Sequence, residues 1–129
     1  MLIMRRKKLA SLFLEKIIEK INEIYPCYYE EVPSSASFPF CVIPTININD
    51  LDMGKTIMFT IEIYNNKLSK IISEDIMQNL EKQLDRYHYI DDTIAFHIGW
   101  DNSRSIKSIE QDLIIKEVSL TARIFNIGG

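Results

Sequence analysis

An α+β fold, in which an antiparallel sheet carries helices packed on it, is predicted by three features of this 129-residue chain. Two stretches repeat apolar residues at helical spacing, and several others alternate apolar and polar residues. The links between most of the alternating stretches are short enough for hairpins, which favours antiparallel pairing. The expected order is helix, strand, strand, strand, helix, strand, strand, in one domain over residues 1–129.

The first helix is expected from Lys8 to Tyr25, where Leu9, Phe13, Ile17, Ile21 and Ile24 form one stripe and Glu15, Lys16, Glu19, Lys20 and Glu23 the opposite side. Pro26 ends it by disfavouring helical geometry at Tyr25. Mixed charge on the polar side argues against a membrane-surface helix. The apolar run Leu9 to Leu14 is interrupted by charge too early for a signal peptide, and no small-residue cleavage site follows it.

Tyr28 to Val32 reads as a short extended segment and Pro33 to Pro39 as a loop. Phe40 to Asn49 reads as a strand with Phe40, Val42, Ile46 and Ile48 on one face, and Pro44 places it at a sheet edge or at a bulge. After a hairpin connection over Asn49 to Lys55, Thr56 to Tyr64 is the cleanest strand, with Ile57, Phe59, Ile61 and Ile63 inward. Asn65 and Asn66 are candidate caps for a second helix ending near Arg86, whose apolar stripe is Leu68, Ile72, Ile76, Leu80 and Leu84. Tyr87 to Thr93 is a connector, and Ile94, Phe96, Ile98 and Trp100 alternate as a strand. A polar loop is expected over Asp101 to Asp112 before a last strand carrying Val118, Leu120, Ala122 and Ile124. Leu113 and Ile115 have the wrong parity for that strand, which calls for a bulge near Lys116 or a separately oriented piece.

Composition narrows the function classes. With 47% hydrophobic and 26% charged residues the chain is an ordinary globular one, and a net charge of −3 gives it no general attraction for nucleic acid. The run Arg5, Arg6, Lys7 and Lys8 reads as a solvated chain end. Cys27 and Cys41 read as reduced thiols, and with His88 and His97 they match no zinc spacing.

Motifs that imitate chemistry fail on context. Gly54-Lys55-Thr56 resembles the end of a phosphate loop, but Asn49 stands where that loop needs glycine, and a strand follows in place of a helix. Asn49 to Gly54 resembles a calcium loop, yet Leu51 and Met53 occupy ligand positions. No nucleophile elbow occurs, and the adjacent pairs Glu30 with Glu31 and Asp91 with Asp92 point different ways in extended chain. No catalytic, metal or cofactor site is therefore assigned.

An N-terminal amphipathic helix leads into Tyr29-Glu30 and Val32-Pro33, then through a short loop into Phe38-Pro39-Phe40, Val42 and Ile43. A strand over Ile57 to Tyr64, a helix over Leu68 to Arg86 and a closing Leu120-Thr121-Ala122-Arg123-Ile124-Phe125 follow. This pattern, spanning nearly the whole chain, resembles the tail-terminator (tail-completion) proteins of tailed bacteriophages. The resemblance implies a non-enzymatic virion protein, assembled in the host cytoplasm and located at the head-proximal end of the tail. There a homo-oligomeric ring, typically of six, caps the tail tube protein, ends its polymerisation and offers a joining surface to a neck or head-completion protein. DNA would pass through the lumen without specific binding, no membrane is involved, and six subunits at −3 each would total −18. The contacts it implies are Arg104 and Lys107 in the Asp101 to Asp112 loop, Leu51 and Met53 at the opposite hairpin, and Phe38 and Phe40 in the motif itself. Competing readings are a head-completion or connector ring, a small-ligand enzyme with a pocket of converging titratable groups, and a nucleic-acid-binding module with salt-dependent affinity.

Overall fold

The computed structural model describes the backbone of residues 2–51, 54–66, 70–106 and 113–126. Helix α1 (Leu2–Asn22) is followed by strands β1 (Cys27–Tyr29), β2 (Phe40–Ile43), β3 (Ile46–Leu51) and β4 (Gly54–Asn66). Helix α2 (Lys70–Leu84) and strands β5 (His88–Ile90), β6 (Ile94–Ile106) and β7 (Leu113–Asn126) complete the order. The strands form one seven-stranded sheet in the order β1-β2-β4-β7-β6-β5, and β3 pairs with β4 beside β2.

The expected antiparallel sheet with helices packed on it is corrected in two respects. The sheet is mixed, because β1 runs parallel to β2 with Cys27 opposite Cys41 and Tyr29 opposite Ile43. It is also the dominant element, curled into a half-barrel and not a flat layer that helices cover. The length of the connection permits the parallel pairing. The connection after β1 is ten residues long, from Glu30 to Pro39, so the chain can return before entering β2, which a tight hairpin would prevent. Glu30 begins that return in the left-handed region, at φ 62°.

Strands β4 and β7 pair over twelve consecutive positions, from Lys55 opposite Ile124 to Asn66 opposite Leu113, without a shift. Ile57, Phe59, Ile61 and Ile63 accordingly face the core with Val118, Leu120, Ala122 and Ile124, as their parity predicts. Phe13 of α1 is fully buried between two sheet rings, its centroid 5.3 Å from Phe59 and 5.1 Å from Phe96, both edge-on. Ile17, Ile21, Ile76, Leu80 and Leu84 bring both helices into the same core.

Several boundaries differ from expectation for identifiable reasons. Helix α1 ends at Asn22, three residues early, because the Asn22 side chain donates to Ile18 O (3.0 Å) and accepts from Cys27 N (3.0 Å), turning the chain into β1. Among the described side chains of α2 the buried ones are Ser73, Ile76, Leu80 and Leu84; Ile72, expected in the stripe, is 50% exposed, one helical step off that line. Asn65, a candidate cap, is a buried strand residue whose Nδ2 donates to Ser73 Oγ at 3.1 Å.

Phe40 to Asn49 is two strands, not one. Residue numbers paired between β2 and β4 sum to 104 (Cys41 with Ile63), and between β3 and β4 to 105 (Ile46 with Phe59). One extra residue at Pro44-Thr45 therefore reverses the side-chain parity. Cys41, Ile43, Ile46 and Ile48 face the core, whereas Phe40 and Val42 share the outer face with Tyr64 and Glu62. No bulge near Lys116 and no separate piece realigns Leu113 and Ile115: β7 is continuous against β4, which leaves both on the parity of Tyr64, opposite to Val118 and Leu120, and the register shift lies instead on β6, between Trp100 and Asn102. The loop expected from Asp101 is strand as far as Ile106, each of its polar residues from Asn102 to Ser105 having a β7 partner.

Core contributions are separable by substitution. Phe13→Ala should cost about 3–5 kcal/mol in urea unfolding, as expected for truncating a fully buried ring, and Ile72→Ser less than about 1 kcal/mol. Equal unfolding midpoints for the two variants would contradict the packing described. Burial pushes the Cys27 thiol from 9.0 up to about 12, and raises that of Cys41 as well. Because the folded value lies above the unfolded one, Cys27 supports the fold fully below pH 9.0 and loses that support as pH climbs toward about 12. Stability of the wild type should accordingly decline across that window more than that of Cys27→Val. Neither thiol should react with a disulfide reagent at pH 8 before unfolding.

Candidate assembly surface

Core parity leaves the other face of the sheet to solvent, and apolar side chains gather on it in two places. Near β1 and β2, Phe40 is sandwiched between Phe38 (centroids 5.5 Å, planes 7° apart) and Tyr64 (5.3 Å, 10°), with Tyr28 edge-on at 5.9 Å. Phe40 is buried, and Phe38 caps the stack with 51% of its surface exposed. The stack exists because the Pro44-Thr45 bulge turns Phe40 outward onto the row of Tyr64. Tyr64 in turn donates to Glu62 Oε1 at 3.1 Å, and the connection beyond β1 carries the exposed Glu30 and Glu31. This end of the sheet is aromatic and acidic.

The second gathering is at the β5 edge. Register sets two rows across β5, β6 and β7: Ile90, Ala95 and Phe125 in one, His88, His97 and Arg123 in the next. Ile90 (74% exposed) and Phe125 (49%) stand on either side of small Ala95, so the rows enclose a hollow of about 420 Å³. The His88 and His97 rings are 4.1 Å apart, and His97 Nδ1 is buried without a hydrogen-bond partner. This end is apolar, with the cationic Arg123 in the row beside the hollow. A second hollow of about 370 Å³, lined by Thr45, Asn47, Met58, Thr60, Asp101 and Ser119, lies between the two gatherings.

The turn into β6 is held by one carboxylate. Asp91 Oδ1 accepts from Thr93 N (2.7 Å), Ile94 N (2.9 Å) and Thr93 Oγ1 (2.9 Å), while Oδ2 accepts from Tyr89 Oη (2.8 Å). The two backbone N–H donors, then Tyr89 and the Thr93 hydroxyl, hold its carboxyl well below the usual carboxylate range. Asp91 thereby fixes Ile90 opposite Ala95.

Of the contacts read from sequence, Phe38 and Phe40 are brought together, the first exposed and the second serving as its platform. Arg104 lies in strand β6 and not in a loop; its Nε donates to Glu117 Oε1 at 2.9 Å while its side chain stays 68% exposed. Leu51 ends β3 opposite Gly54, at the other end of the long strands from Arg104. Met53, Lys107 and the side chain of Leu51 lie outside the described residues. Sequence reasoning missed the β5-edge rows. Ile90 stood in a connector too short to show alternation, and Phe125 was visible only as the outward neighbour of Ile124.

Among the described residues no group of three or more His, Cys, Asp or Glu is placed to hold a metal ion, and no helix is long and apolar enough to cross a membrane. No protein-family model and no curated protein matches the chain. Among solved structures it is similar to a chain of the virion of a native gene transfer agent particle. The TM-score is 0.61 at 10% sequence identity, covering 75% of this chain and 77% of that one, and the likeness shows a shared fold.

Titration should expose the Asp91 clamp. Its folded value is lowered, so its support of the turn is complete above 3.8 and is lost as pH falls below it. The Thr93 and Ile94 amide resonances should stay constant down to about pH 4 and shift only below it, the carboxylate's hydrogen bonds being lost on protonation. In Asp91→Asn that shift should vanish; an unchanged acid transition would mean another group anchors the turn.

Proposed function

We propose that this chain is a structural subunit of a phage-like virion, and within it the tail-terminator subunit whose ring caps the tail tube, ends its polymerisation and joins a neck or head-completion protein. The observation that carries the reading is the shared fold with a chain of a gene transfer agent virion across three quarters of both chains. The sequence pattern from Tyr29 to Ile43, with its closing Leu120 to Phe125, adds the tail-terminator assignment.

The strand layout suits the role. Gly54 and Asn66 terminate β4 at opposite ends, so Leu51, at the end of β3, and Arg104, near the end of β6, stand at opposite ends of the sheet. On this reading one end meets the tube and the other the neck, while the edges of the sheet face neighbouring subunits. Exposed apolar and charged side chains on a rigid sheet make a suitable assembly surface, and no reaction needs to be catalysed.

Particles from a wild-type lysate should be separated into tails and heads and each probed by mass spectrometry for this subunit. Tails carrying it at their head-proximal end, together with tubes of uncontrolled length when its gene is disrupted, are the expected results. Recovery on isolated heads alone would reassign it as a connector ring, and absence from every particle would remove the virion reading.

A further inference from the structure

We propose that the two gatherings on the outer face are the two halves of one contact between copies of this chain: Phe38 of one copy seats in the Ala95 hollow of the next, with Glu30 and Glu31 facing Arg123, His88 and His97. The proposal rests on the assembly reading above and adds the surfaces that join the subunits.

Shape, charge and position each support the second copy as occupant. Phe38 is a half-exposed ring raised on Phe40, and the hollow floored by Ala95 between Ile90 and Phe125 has, at about 420 Å³, room for a phenyl group. The connection bearing Phe38 is acidic through Glu30 and Glu31, whereas the row beside the hollow carries the cationic Arg123. Glu30 and Glu31 repel the same pair on another copy and attract Arg123, which favours a head-to-tail contact over a two-fold dimer. The surfaces lie toward opposite edges of the sheet, since β4 and β7 separate β2 from β6. Three inter-strand steps of about 4.8 Å each keep them well beyond disulfide reach within one chain.

That separation makes cysteine cross-linking decisive, because Cys27 and Cys41 are buried. Phe38→Cys and Ala95→Cys would be introduced singly and together, with circular dichroism confirming the fold. On mild oxidation an equimolar mixture of the single variants should give one heterodimer, and the double variant a ladder above the dimer. As a second measurement, Arg123→Glu should weaken self-association about tenfold or more in sedimentation, as reversal of an interfacial charge does, and Glu31→Lys in the same chain should restore it. Homodimers of Phe38→Cys in place of the heterodimer would overturn the contact by showing a symmetric one. Oligomers in sedimentation without cross-links would overturn it while leaving the assembly role intact, and a monomer at every concentration with no ladder would overturn it too. Whether the subunit is found on particles is read separately, so loss of the contact and loss of the virion role are distinguishable.

Discussion

The unbroken register of β4 against β7 is the constraint on which the rest of the structure depends. Twelve consecutive pairs fix which side chain of each strand faces inward, and a slip of one residue would send Ile57, Phe59, Ile61 and Ile63 into water together. Each such side chain is stabilised by about 1.5–3 kcal/mol on burial, so the alternative registers are excluded by a wide margin. Both helices depend on that choice. Phe13 finds two aromatic edges only because Phe59 and Phe96 project to the same side, and Leu80 and Leu84 complete the cover. The outer face is set by the same decision, since every inward residue delivers its neighbours outward.

Against this regular ladder the chain spends one irregularity at Pro44-Thr45. A proline cannot donate to β4, and the extra residue there lets the edge of β4 be covered by two short strands of opposite parity. The consequence is chemical as well as geometric. Phe40 is turned away from the core and becomes the platform for Phe38, while Cys41 and Ile43 take the inward places. A continuous strand would have buried Phe40 in the core and left Phe38 unsupported.

Where the sequence pattern was long and regular the fold was legible in it. The inward sets of β4, β6 and β7 and the stripe of α1 follow from spacing alone, because those elements bury one face over many residues. Pairing direction was less accessible: three residues of β1 carry no alternation that tells parallel from antiparallel, and the ten-residue return before β2 could have served either. The polar run Asn102 to Ser105 reads as a loop in sequence because it is exposed and displays no apolar face, although its backbone pairs with β7. The same limit hid the candidate assembly surface. Ile90, Ala95 and Phe125 come from three separate strands, and only registration across β5, β6 and β7 places them in one row.

A surface made from cross-strand rows is as rigid as the sheet beneath it, and this bears on how copies could join. Seating an exposed ring on a loop alone requires ordering that loop, at a cost of about 1–2 kcal/mol per backbone residue. Here Phe38 is already stacked on a buried ring, and the opposing hollow is framed by paired strands whose entry turn is clamped by Asp91. Little conformational freedom remains to be lost on contact, so even a modest interface retains most of its favourable energy. Unlike patches at opposite edges generate a repeating rotation from one copy to the next, and such a contact closes when the rotation divides a full turn. On the proposed contact, the angle between the two edges of the curled sheet would supply that rotation, and the curl fixed by the long strands would set how many subunits complete a circle.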